Sequence, residues 1–81
     1  MRINKYDPFP KKLFRVVRLG KGGLDISIQS KTSNDAAREA FKAEKAWYSR
    51  DIAPAVKEFY IPEAGTVWVT DVGLYESIHN D

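Results

Sequence analysis

The chain contains no cysteine. That excludes disulfide staples, thiolate metal sites and thiol nucleophiles. It has a single histidine, His79, in a polar ending. A His-dependent triad or a His-rich metal centre therefore has almost no material to draw on. No segment approaches the run of ~20 apolar residues that a membrane-spanning helix requires. The opening residues, Met1 to Asp7, lack the apolar stretch of a secretion signal. These absences lead us to expect a cytoplasmic protein with no membrane partner. Internal repeats and low-complexity tracts are also missing. Carboxylate pairs exist, such as Asp51 with Glu58 and Asp71 with Glu76. Nothing in the pattern sets two of them in an apolar cleft, which acid–base catalysis needs. We expect no enzyme and no cofactor.

What is present is ordinary globular material. Of 81 residues, 43% are hydrophobic and 30% charged, which fits one small domain and not a disordered tail. A domain of this size buries only about 60% of its unfolded surface, so it depends on a well-covered core. The net charge of +2 hides a split. Residues 1–22 carry seven basic groups and one acid, a net +6, whereas residues 23–81 carry six basic and ten acidic groups, a net −4. Such asymmetry fits a polyanionic partner for the basic part, and equally a solvated strand that aids solubility.

The prolines Pro8 and Pro10 make the opening an extended arm. Residues 13–19 (LFRVVRL) and 24–30 (LDISIQS) flank Gly20-Lys21-Gly22-Gly23, which predicts a hairpin. With 20–23 as the loop, Leu19 faces Leu24, Val17 faces Ile26 and Arg18 faces Asp25. Phe14 and Val16 then fall on the outer face. The glycine loop superficially resembles a phosphate-binding turn. A strand and not a helix follows it, which favours the hairpin.

Thr32-Ser33-Asn34-Asp35 is a helix start signal, and the run from Asp35 to Tyr48 contains neither glycine nor proline. Ala37, Ala40, Phe41, Trp47 and Tyr48 share one side of such a helix, with Ala40 central and buried. Pro54 requires the helix to stop before it. Residues 56–61 (VKEFYI) and 67–72 (VWVTDV) flank Pro62-Glu63-Ala64-Gly65, which predicts a second hairpin with Ile61 facing Val67, Phe59 facing Val69 and Lys57 facing Asp71. The alternative is a helix that resumes after Pro54 and runs to Tyr60. The expected fold is α+β, a β-β-α-β-β chain forming a four-stranded, mainly antiparallel sheet with one helix packed on one face. It is a single domain over residues 1–81, with an extended basic arm at 1–12, the sheet and helix at 13–72 and a C-terminal tail at 73–81.

Ten residues are aromatic. Phe41, Trp47 and Phe59 are taken up by the expected core. Phe14, Tyr60 and Trp68 fall on the uncovered sheet face with Arg18 nearby. Aromatics on an open sheet can stack nucleobases or anchor a protein partner. Alternatively, the arm around Phe9 or the segment around Tyr75 folds over them as a second small core. The partner-binding candidates are thus Phe14, Arg18, Tyr60 and Trp68, with Lys11, Lys12 and Arg15 beside them. In general type, a short, cysteine-free domain with no catalytic set resembles small phage-encoded regulators and inhibitors, anti-CRISPR proteins among them. The likeness is carried by no particular residue, so it implies a kind of activity and no site. The expected function is a non-enzymatic binding or regulatory protein that occupies a surface of a larger protein or nucleoprotein complex. The alternative is a direct nucleic-acid-binding module, with the basic segment on phosphates and the aromatic face on bases. Self-association into a homodimer through a strand edge or the open face is a third option.

Overall fold

The computed structural model describes residues 10–20 and 22–79. Its elements are β1 (Lys12–Arg18), β2 (Leu24–Ser30), α1 (Ser33–Phe41), β3 (Trp47–Ala53), β4 (Val56–Ile61), β5 (Gly65–Asp71) and α2 (Val72–His79). The five strands form one sheet in the order β2-β1-β5-β4-β3, and every neighbouring pair is antiparallel. The class is α+β, as the pattern implies. Among the described residues the sheet has five strands and not four, and there are two helices and not one. Residues 1–9, which include Phe9 and most of the expected arm, lie outside the described residues.

The first hairpin forms with a different register. Arg18 faces Leu24, Val17 faces Asp25, Val16 faces Ile26 and Phe14 faces Ile28. The connection thus spans residues 19–23, and its glycines at 20, 22 and 23 all sit at positive φ, where side chains are disfavoured. A slip of one residue reverses every side chain of β1. Phe14 and Val16 enter the core, while Val17 points to the other face. The physical reason is burial. Once glycines make a longer loop inexpensive, covering the Phe14 ring removes more apolar surface from water than covering Leu19 would. The expected Arg18–Asp25 pair is replaced by Arg15–Asp25.

The second hairpin holds residues 56–61 as strand and excludes the resumed helix. Ile61 faces Gly65, Phe59 faces Val67 and Lys57 faces Val69. The turn is closed by the Ala64 N–H donating to the Ile61 carbonyl at 2.9 Å. Gly65 follows at φ +85°, a conformation that favours glycine after a turn of this length. The pairing lies two residues from the expected one, so both strands keep their faces. Lys57 pairs with Asp51 at 3.1 Å and not with Asp71, which pairs with Lys12 at 3.4 Å.

Helix α1 begins as expected. The Thr32 hydroxyl accepts from the Asp35 N–H at 3.1 Å, satisfying one free donor of the first turn. It ends at Phe41 and not near Tyr48. Lys42 takes a left-handed conformation (φ 52°), and its N–H and that of Ala43 bond back to the Glu39 and Arg38 carbonyls. The Asn34 amide donates to the Ala46 carbonyl at 2.8 Å, holding the chain as it leaves the helix. Residues 47–53 then pair with β4, which good helix propensity alone does not outweigh. A further departure follows β5. The expected tail forms α2, whose Leu74 N–H is accepted by the Asp71 carboxylate at 3.1 Å.

The core lies between α1 and one sheet face. Phe14, Val16, Phe59, Ile61, Val67 and Val69 meet Ala36 and Ala37. Ala36 and Ala37 are both wholly buried, whereas Ala40 is half-buried at the edge of that contact. Small side chains there let the helix backbone approach the sheet closely. Ala37→Leu is therefore expected to cost about 1–3 kcal/mol through overpacking. A urea midpoint unchanged from wild type would show that α1 presents a different side.

Candidate interaction surface

The face of the sheet opposite α1 is built in rows that cross the strands. One row runs Asp25, Val17, Trp68, Glu58, Arg50, each directly opposite the next. A second runs Ser27, Arg15, Thr70, Val56, Ala53. A third brings together Thr66, Tyr60 and Trp47. Strand geometry sets directly opposite side chains about 4.5–5.5 Å apart at Cβ, so each row is a line of contacts.

Charges in these rows are held in pairs. Arg15 donates from Nε to Asp25 Oδ1 at 2.8 Å and from its terminal nitrogen to Oδ2 at 2.5 Å, a two-point fork. The hydrogen bond and the opposite charge raise the Arg15 pKa and lower that of Asp25. Glu58 accepts from the Trp68 indole N–H at 2.9 Å and from Arg50 Nε at 3.2 Å. The indole bond, then the Arg50 charge and its hydrogen bond, pull the Glu58 carboxyl below its usual range against the desolvation that raises it. On the α1 side, Asp51 is lowered by bonds from the Tyr48 hydroxyl and Lys57.

Carboxyls with lowered folded-state pKa values stabilise the fold above their unfolded pKa of about 4, and that contribution is lost as pH falls through the lower folded value. Stability is thus expected to be flat between about pH 5 and pH 9 and to decline on further acidification. Glu58→Gln removes one of these titrations while keeping an acceptor for the indole. Its urea midpoint should fall less between neutral and acid pH than that of wild type. An equal fall in both proteins would show that Glu58 does not take part.

Exposure separates the aromatics. Trp47 is 51% exposed and Tyr60 46%, side by side on neighbouring strands. Trp68 is half-buried in the middle of its row. Lys45 holds its ammonium 5.5 Å from the Trp47 ring centre. Helix α2 stands at the margin of this face, and a groove of about 560 Å³ lies between Tyr75 and Glu76 on one side and Arg15, Val17, Trp68 and Thr70 on the other. Tyr75 is itself 44% exposed and does not cover the Trp47–Tyr60 end.

The candidates named from sequence are thus divided. Tyr60, Trp68 and Arg15 lie on this face. Phe14 does not; it is 2% exposed in the core, the consequence of the β1 slip. Arg18 leaves the face for the same reason, and its Nε donates to the Ala64 carbonyl at 3.0 Å. Lys12 is tied to Asp71, and Lys11 is exposed just before β1. Trp47, expected in the core, and Arg50, not expected to matter, join the face. The one strand signal in residues 47–53 is the aromatic pair Trp47-Tyr48, since aromatics favour a pleated surface, and it is weak beside the helix-forming run that precedes it. Among the described residues, no group of three His, Asp or Glu side chains converges to hold a metal ion. No helix among them is long and apolar enough to cross a membrane. No protein-family model, curated protein or solved structure matches this chain.

Proposed function

We propose that the protein is a non-enzymatic binding protein of the cytoplasm, which acts by occupying a surface of a larger protein or nucleoprotein complex, in the manner of small phage-encoded inhibitors. The observation that carries this reading is the Trp47–Tyr60 pair. Two large aromatic rings stand about half exposed side by side on neighbouring strands, where leaving them in water is costly unless a partner covers them. The carboxylates support a binding role over acid–base chemistry. Asp25, Asp51 and Glu58 are all held toward the ionised form, the opposite of a raised general acid.

A protein surface suits this face better than a nucleic acid. Arg15 and Arg50 are already neutralised by Asp25 and Glu58, and these acids would repel phosphates. The test is capture from a host lysate with and without nuclease, followed by salt titration of the purified pair. Nuclease-resistant binding with weak salt dependence is expected. Binding of random single strands with a log–log salt slope of about −0.7 per phosphate contact would replace this reading with direct nucleic-acid binding.

A further inference from the structure

We propose that β2 is a dimerisation edge, pairing antiparallel with β2 of a second copy about a twofold axis at Ser27. Among the described residues, β2 hydrogen-bonds to β1 alone, so its outer backbone groups form an open edge. Such edges attract further strands unless they are guarded. The sheet's two edges differ in this respect. At β3 the ladder breaks register between Tyr48 and Arg50 and again between Asp51 and Ala53. At β2 the register with β1 is unbroken from Leu24 to Ser30. Neither proline nor lysine interrupts it, and its one charge, Asp25, is already engaged by Arg15.

Charge and side-chain pattern then choose the occupant. An antiparallel pair centred on Ser27 sets Ile26 against Ile28 of the second copy, and by symmetry Ile28 against Ile26. It sets Asp25 against Gln29, so no like charges meet. Ile26 and Ile28 pack against the border of the core and stay half-buried, as does Leu24, and a second strand would cover their exposed side. The same operation on β3, centred on Arg50, would place two guanidiniums opposite each other, which a sheet disfavours. A β2-to-β3 contact would be head-to-tail and would leave an edge open at each step. Of these arrangements, the β2–β2 pair is the one that closes without setting like charges opposite each other.

In such a dimer the sheet continues across both chains. A twofold axis through an antiparallel strand pair stands perpendicular to the sheet. Both Trp47–Tyr60 surfaces then lie on the same side of one continuous twisted sheet, with their β4 strands about 34 Å apart along seven strand spacings.

The test is sedimentation velocity over a wide concentration range on wild type, Ser27→Lys and Ser27→Asp, with folding checked by circular dichroism. Ser27 is exposed, so neither substitution disturbs the core. Wild type is expected to dimerise. Each variant alone opposes like charges on the axis and should weaken the dimer roughly fivefold. An equal mixture of the two variants should restore association as a heterodimer. Hydrogen exchange on wild type supplies an independent readout, with amides in residues 24–30 slowing as concentration rises. A wild type that stays monomeric overturns the proposal, including the case in which another segment of its own chain protects those amides. A dimer that neither charge weakens also overturns it, because the contact then lies elsewhere.

Discussion

Phe14→Ala is expected to remove about 3–5 kcal/mol of folding stability. The ring is 2% exposed and meets Val16, Val69 and the alanines of α1, so truncation leaves a cavity that the short helix cannot fill. Native stabilities are about 5–15 kcal/mol, and a domain this small sits low in that range. The variant should therefore be largely unfolded at modest urea concentration. Its sequence neighbour supplies the control. Leu13 is 41% exposed on the other face, and Leu13→Ala should shift stability by no more than about 0.5 kcal/mol. Urea midpoints for both variants decide between the two registers of β1. A well-folded Phe14→Ala beside a crippled Leu13→Ala would restore the flipped hairpin.

Trp47→Ala and Tyr60→Ala should each weaken partner binding by about 2 kcal/mol or more, roughly 30-fold, with the fold intact. Both rings project from the sheet on directly opposed positions, so the double variant should lose less than the sum of the singles. Tyr48→Ala is the matched control, because Tyr48 is 55% exposed on the α1 side of the same strand. Titration calorimetry with the captured partner gives all four values. Equal affinities for wild type and the Trp47 and Tyr60 variants would remove the aromatic pair from the binding surface. Trp68→Ala is less clean, since it also strips Glu58 of its indole donor.

The parts of this fold that were legible in the sequence are those fixed by local chemistry. Thr32 announces the helix, the alternation in residues 24–30 announces a strand, and the Gly65 turn between two β-rich runs announces the second hairpin. Phe59, Ile61, Val67 and Val69 reach the core even though their hairpin slips, because a slip of two preserves the face. What was not legible depends on distant competition. The β1 register rests on whether Phe14 or Leu19 meets α1, a choice made by burial and not by the glycine loop. Similarly, residues 42–53 suit a helix in isolation and become the end turn and β3 only because β4 offers an edge. The aromatic surface was half read for this reason. Tyr60 and Trp68 follow from β4 and β5, whereas Trp47 and Arg50 required a strand that propensity concealed.

The strand order also has a kinetic consequence. Two stretches of this sheet assemble from neighbours in sequence, the β1–β2 hairpin and the β3–β4–β5 meander. Among the described residues, their strands pair with each other at the β1–β5 seam, where Phe14 lies opposite Asp71 and Arg18 opposite Val67. Closing that seam brings together residues about 50 positions apart, at an entropic cost of roughly 3–4 kcal/mol. Nothing within either stretch offsets that loss until Val16 and Val69 pair beneath α1. The barrier to folding is therefore expected at the joining of these two stretches. Substitutions in the seam should govern how fast the chain folds, and those in the outer loops how fast it comes apart.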